Sequence, residues 1–139
     1  MTKSATGRAP LRPRPISPHL QIYRLIPTMA MSIVHRITGA ALYFGTLLVV
    51  WWLVAAATSQ AQFELVNGIF GSWLGRLVLF GYTWALIHHM LGGVRHLIWD
   101  TGHGLGKRTS TRLAWATLIG SVTLTFIAWI AGYVARGGF

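Results

Sequence analysis

The sequence predicts an all-α membrane protein with three transmembrane helices, and three observations carry that expectation. Hydrophobic residues make up 53% of the chain and charged residues only 10%, against roughly a quarter charged in a soluble domain. Three stretches, 37–57, 77–94 and 113–135, contain no Lys, Arg, Asp or Glu, and a bilayer-spanning helix needs about 20 apolar residues. The remaining charge is one-sided, with 12 Lys plus Arg against Glu64 and Asp100, and it gathers at the ends of the apolar runs, as it does beside a bilayer. A nucleic-acid binder can be equally basic, but its cations form a stripe on a soluble fold, so no nucleic-acid partner is expected.

Residues 1–27 read as a cytoplasmic N-terminal arm. They lack the apolar core of a secretory signal. Their Arg and Ser content, free of acids, resembles an organellar transit sequence, but all 5 prolines of the chain fall here and break any amphipathic helix. An arm that stays on the protein is therefore expected. Residues 28–135 read as a three-helix transmembrane domain, with helices at about 28–57, 74–99 and 113–135. Pro27 suits the first turn of the first helix, which brings His35 and Arg36 inside it. Trp73 and Trp99 stand at the two ends of the second helix as candidate interface anchors. Gly102, Gly104 and Gly106 suggest a flexible loop before the third.

The cations orient the chain. Lys3, Arg8, Arg12, Arg14 and Arg24 lie on the arm, and Lys107, Arg108 and Arg112 lie between the second and third helices, with Arg95 at the edge. The first loop has only Arg76, set against Glu64, and the tail only Arg136. The positive-inside rule puts the N-terminus inside and the C-terminus outside. The chain has no cysteine, which excludes disulfides, iron–sulfur ligation and thiolate catalysis by this polypeptide. A haem held here must use His or Met.

Ionisable residues within a span are costly and mark function. Helix one carries Ser32, His35, Arg36 and Gly39, spaced i, i+3, i+4 and i+7 on one face. Arg36 lies roughly 12 Å into the helix, and snorkelling to the interface is the simplest account of it. That account leaves Ser32 and His35 unexplained. A hydroxyl, an imidazole and a guanidinium together suit an anion or a carbonyl such as a quinone's. Helix two carries His88, His89, Arg95 and His96, with Gly92 and Gly93 between. Adjacent helical residues point about 100° apart, so His88 and His89 cannot serve one site. His89, Gly92, Gly93 and His96 share a face, and the two glycines leave a strip that suits either a planar macrocycle or a close helix contact. Counted from the inner ends of antiparallel helices, His35 and His89 lie at about the same depth, roughly 10 Å in. His89 and His96 are roughly 10 Å apart along the axis and cannot share one iron. Spacing alone leaves a haem ligand and a merely hydrogen-bonded buried His both open.

Two longer patterns go further. Arg14-Pro15-Ile16, Leu20 and Pro27 lead into Ser32-Ile33-Val34-His35-Arg36-Ile37-Thr38-Gly39. The second is His89-Met90-Leu91-Gly92-Gly93-Val94-Arg95-His96-Leu97-Ile98-Trp99-Asp100-Thr101-Gly102. In these, and in length and topology, the chain resembles the cytochrome b membrane-anchor subunits of succinate dehydrogenase, respiratory complex II. The resemblance implies that His89 is an axial ligand of haem b, the other coming from a second, smaller anchor subunit. It implies that Ser32 and Arg36 line the ubiquinone site beside the iron–sulfur subunit. His35, with Arg36, would stand near the haem propionates, while Arg95 and His96 would support the haem pocket. Asp100 would pair with Arg95 or meet the soluble subunits.

The implied activity is electron transfer from succinate, through the flavoprotein and iron–sulfur subunits, to ubiquinone. The chain alone would catalyse nothing. The expected setting is the lipid bilayer of the bacterial plasma (inner) membrane, with the mitochondrial inner membrane as alternative. Three other functions stay open: a fumarate reductase anchor, a self-contained cytochrome b with His35 and His89 on one iron, and a haem-free structural membrane subunit.

Overall fold

The computed structural model describes residues 24–137, so the expected arm over 1–27, with Lys3, Arg8, Arg12 and Arg14, lies almost wholly outside the described residues. Four helices follow in order: α1 Pro27–Thr58, α2 Gln60–Gly71, α3 Trp73–Asp100 and α4 Lys107–Ala135. α1, α3 and α4 are long and apolar enough to cross a membrane. Pro27 occupies the first turn of α1, where its missing N–H is not needed.

Two boundaries differ from expectation. α2 was expected as a loop. Ser59 caps it by accepting from the Gln62 N–H at 3.3 Å, and Gln60 donates to Glu64 at 2.8 Å one turn on. Val66 is fully buried, and Trp52 Nε1 donates to Asn67 Oδ1 at 3.0 Å, which ties α2 back to α1. At twelve residues α2 is too short to span, so hydropathy is silent about it; the helix packs against α1 and α3. α4 begins six residues before the apolar run, at Lys107, with Gly106 as its N-cap. The apolar pattern marks the lipid and not the helix, whose first two turns project the basic residues Lys107, Arg108 and Arg112.

The glycines of the connection have a conformational use in place of the expected flexibility. Gly102 and Gly104 have φ of +78° and +75°, the left-handed region that other residues enter at a cost. Gly104 also accepts from the Ser110 hydroxyl at 2.9 Å, pinning the turn to α4.

α3 is central, running antiparallel to both α1 and α4 and packing against each. Its contacts use small side chains: Ala85, Ala114, Thr117, Ser121 and Thr125 are buried. Large apolar residues face outward instead, Ile37 being 62%, Leu97 65% and Ile119 61% exposed. That inversion is expected where lipid is the solvent and close backbone approach drives association. The tightest approach is at Gly45, where an added Cβ would overlap the Tyr82 ring of α3. Gly45→Ala is therefore expected to destabilise the protein by about 1–3 kcal/mol through overpacking. Gly81→Ala, in open space, is expected to do no such harm. Thermal denaturation of the two variants checks this, and equal losses would contradict the α1–α3 packing.

Candidate functional site

The antiparallel arrangement brings the polar residues of α1 and α3 together at one depth. The His35 and His89 rings stack with centroids 3.9 Å apart and planes 4° from parallel. His96 lies one further step along, its ring 5.4 Å from His35 and tilted by 51°. Gly39 and Gly92 make the stack possible. A Cβ on Gly39 would stand 3.0 Å from His89 Cε1, and one on Gly92 would overlap the His35 ring. Gly93 has nothing within 4 Å of where its Cβ would be. The two glycines of α3 thus divide their uses, Gly92 serving the helix contact and Gly93 leaving open surface.

The hydrogen bonds of His89 fix its tautomer. Its Nδ1 lies 3.1 Å from the backbone carbonyl of His35, which can only accept, so Nδ1 carries the proton. The Thr38 hydroxyl, 3.4 Å from the same nitrogen, gives its own proton to the His35 carbonyl at 2.9 Å. Nε2 is left with its lone pair. Metal-ligating histidines are held in this way, by a bond from the other ring nitrogen to a carbonyl. Thr38 was not singled out from sequence, although it sits one turn beyond His35 and is only 2% exposed.

His88 points elsewhere. It is 1% exposed, and its Nδ1 lies 3.1 Å from Ser121 Oγ of α4. Ser121 donates to the Leu118 carbonyl at 2.8 Å, so its oxygen accepts from His88 Nδ1–H. Trp84 covers the ring, centroids 5.2 Å apart. His88 is a packing residue of the α3–α4 interface, and Ser121 is the partner that sequence alone did not reveal.

The face predicted on α1 is divided. His35 and Gly39 turn toward α3, while Ser32 is half-buried and Arg36 exposed. His35 Nδ1 is buried without a partner, which leaves Nε2 as the ring's available hydrogen-bonding position. Arg95 is 3% exposed and lies over the Trp99 ring, 5.1 Å from its centroid. Its Nε and Nη1 have no hydrogen-bond partner. Asp100 is exposed and does not pair with Arg95, which removes the first of the two roles expected for it and leaves the contact with the soluble subunits. The guanidinium is instead taken up by the Trp99 ring, while Asp100 stays at the exposed end of α3. Trp99, expected as an interface anchor, has its Nε1 buried and serves as the platform for Arg95. Trp73, at 80% exposed, keeps an anchor's position.

The stacked geometry bears on one alternative directly. Two axial imidazoles must aim their lone pairs at each other across the macrocycle. The His35 and His89 rings lie in nearly parallel planes with centroids 3.9 Å apart, which leaves no room between them for a porphyrin. His35 and His89 as arranged cannot ligate one iron from opposite sides. Among the described residues, no three His or acidic side chains converge to hold a metal ion.

Comparison with known proteins agrees along most of the chain. Residues 10–128 match the family described as "Succinate dehydrogenase/Fumarate reductase transmembrane subunit". The chain is 46% identical over 121 residues to the succinate dehydrogenase cytochrome b556 subunit of Paracoccus denitrificans, covering 87% of this chain and 93% of that protein. It is 36% identical over 117 residues to the cytochrome b556 subunit of Rickettsia typhi, covering 84% of this chain and 91% of that one. It is 44% identical over 94 residues to the mitochondrial cytochrome b560 subunit of Sus scrofa, covering 66% of this chain and 56% of the pig protein. Three apolar spans and bacterial relatives of matching length describe a multi-pass bacterial membrane protein. The chain belongs to the succinate dehydrogenase/fumarate reductase transmembrane subunit family.

Proposed function

We propose that this chain is the membrane anchor of succinate dehydrogenase that supplies one axial ligand to haem b and helps form the ubiquinone-reducing site. The observation that carries the reading is the His89 tautomer: Nδ1–H is held by the His35 carbonyl, and Nε2 is left to bind a metal. The relatives' name, cytochrome b, implies haem b, and the residues here fit it. The chain offers one well-oriented imidazole, so the second ligand comes from a partner membrane subunit. When bound, haem b would supply one-electron transfer, with His89 as the residue of this chain that would hold it.

Each residue then has a task. The His35 stack and the Gly39 contact hold the His89 ring in orientation. His35, with Nδ1 enclosed, presents Nε2 toward the propionates, and Arg36 helps neutralise them. Ser32 and Arg36, one turn apart on α1, donate to a quinone carbonyl. A carbonyl oxygen gains negative charge as the ring is reduced, and fixed donors in a dry site stabilise it where it develops. Arg95 and His96 support the pocket from α3. The end of the bundle bearing Arg24, Lys107, Arg108 and Arg112 faces the cytoplasm, where the iron–sulfur and flavoprotein subunits dock. The expected setting is the bacterial plasma membrane. The relatives are named for succinate dehydrogenase, which favours quinone reduction over the reverse, fumarate-reducing direction.

Purification of the native complex, with mass spectrometry and a reduced-minus-oxidised spectrum, tests the reading. Two soluble subunits, a second membrane subunit and a b-type band are expected. Co-purification without the band would make this a haem-free anchor, and absence of the soluble subunits would refute the anchor role itself.

A further inference from the structure

We propose that the end of the bundle opposite the histidines holds a second binding site, which takes the phosphate head group of an anionic phospholipid. A cavity of about 790 Å³ opens there between α1, α2, α3 and α4, within the roughly 300–1,000 Å³ of ligand pockets. Arg76 and Arg136 both line it. They are the only two cations that the sequence places at this end, where the charge rule disfavours any. No carboxylate is among the lining residues: Glu64 lies outside it, its Oε1 accepting from Gln60, and Asp100 is at the far end of α3. Asn67 also lines the cavity, and its Oδ1 is taken by Trp52 Nε1, so its amide N–H groups remain as donors.

The cavity is graded. From Arg76 to Thr83 it follows α3 for about 10 Å, and from Arg136 to Ala128 it follows α4 for about 12 Å. Its inner walls are apolar, from Val49, Leu79 and Ala128. A cationic mouth above an apolar throat, at the level where helices meet the head groups, is complementary to an anionic amphiphile. A free phosphate would have no use for the throat, and a neutral quinone none for two guanidinium groups with no carboxylate among the residues that line the cavity. Two charge-assisted contacts to phosphate oxygens are the strong kind. The site is remote from His89 and stands or falls independently of the haem reading.

The test uses the intact purified complex, stripped of lipid in detergent. Dioleoyl-phosphatidylglycerol is expected to raise the melting temperature and to remain bound in native mass spectrometry, more than phosphatidylcholine at equal concentration. The double variant Arg76→Gln/Arg136→Gln should lose one bound lipid per chain and need about tenfold more phosphatidylglycerol for the same stabilisation. Arg112→Gln, at the other end, should respond as the unaltered complex does. Should the double variant not assemble, each single exposed substitution is expected to give the same changes in smaller steps. Equal retention by variant and parent would overturn the proposal. So would equal stabilisation by inorganic phosphate alone, which marks a simple anion site, or displacement of the lipid by a short-chain ubiquinone, which marks a quinone site.

Discussion

His89→Ala is expected to strip haem from the purified complex, whereas His88→Ala keeps it. The two residues are neighbours in sequence but turn about 100° apart, one to α1 and the other to α4. His89 has its Nδ1 satisfied by the His35 carbonyl and its Nε2 free, while His88 is enclosed with Ser121 and Trp84. Altering a mere partner of a metal ligand lowers affinity about 10–100-fold, so removing the ligand itself should lower haem content by at least about tenfold. His88→Ala breaks a buried hydrogen bond and leaves a void, costing about 1–3 kcal/mol. It should show as lower yield and melting temperature with an unchanged haem-to-protein ratio. Pyridine haemochrome assay against protein mass reads both. Equal haem loss from the two variants would contradict the division of labour between the two faces of α3.

Arg36→Ala is expected to depress ubiquinone reduction without disturbing assembly. Arg36 is exposed near the inner end of α1 and supports no packing whose loss would unfold the bundle. Removing one preorganised donor from a site of developing negative charge costs about 10²–10³ in turnover. Succinate oxidation through a soluble dye, which draws electrons before the membrane, should continue at the normal rate. Arg36→Lys should recover part of the loss, since it restores charge but not the planar fork of donors. Unchanged quinone turnover in Arg36→Ala would mean that the guanidinium only snorkels to the interface.

Much of this was legible because bilayer physics is written plainly in sequence. Lipid demands long uncharged runs, and the three spans followed from them to within a residue or two for α1 and α3. The depth match of His35 and His89 followed from helical rise alone, and their rings do meet. What could not be read is whatever depends on a partner helix. Whether Gly92 or Gly93 faces a neighbour is decided by rotation of α3, and only Gly92 meets His35. The link from Ser121 to His88 spans 33 residues and leaves no periodic trace. Pairing of Arg95 with Asp100 is suggested by nearness in sequence, yet the guanidinium lies over the Trp99 indole, 5.1 Å from its centroid. α2 escaped because a twelve-residue amphipathic segment resembles an ordinary loop when hydropathy is the only signal.

The central claim is that one face of α3 presents His89, through Nε2, to a redox group shared with a neighbouring subunit. A density map of the intact complex tests it most directly. The account predicts a macrocycle whose iron meets His89 Nε2, with Nδ1 still on the His35 carbonyl and the opposite ligand from another chain. A macrocycle on His88, a second ligand from His35, or open lipid against the His89 ring would contradict it.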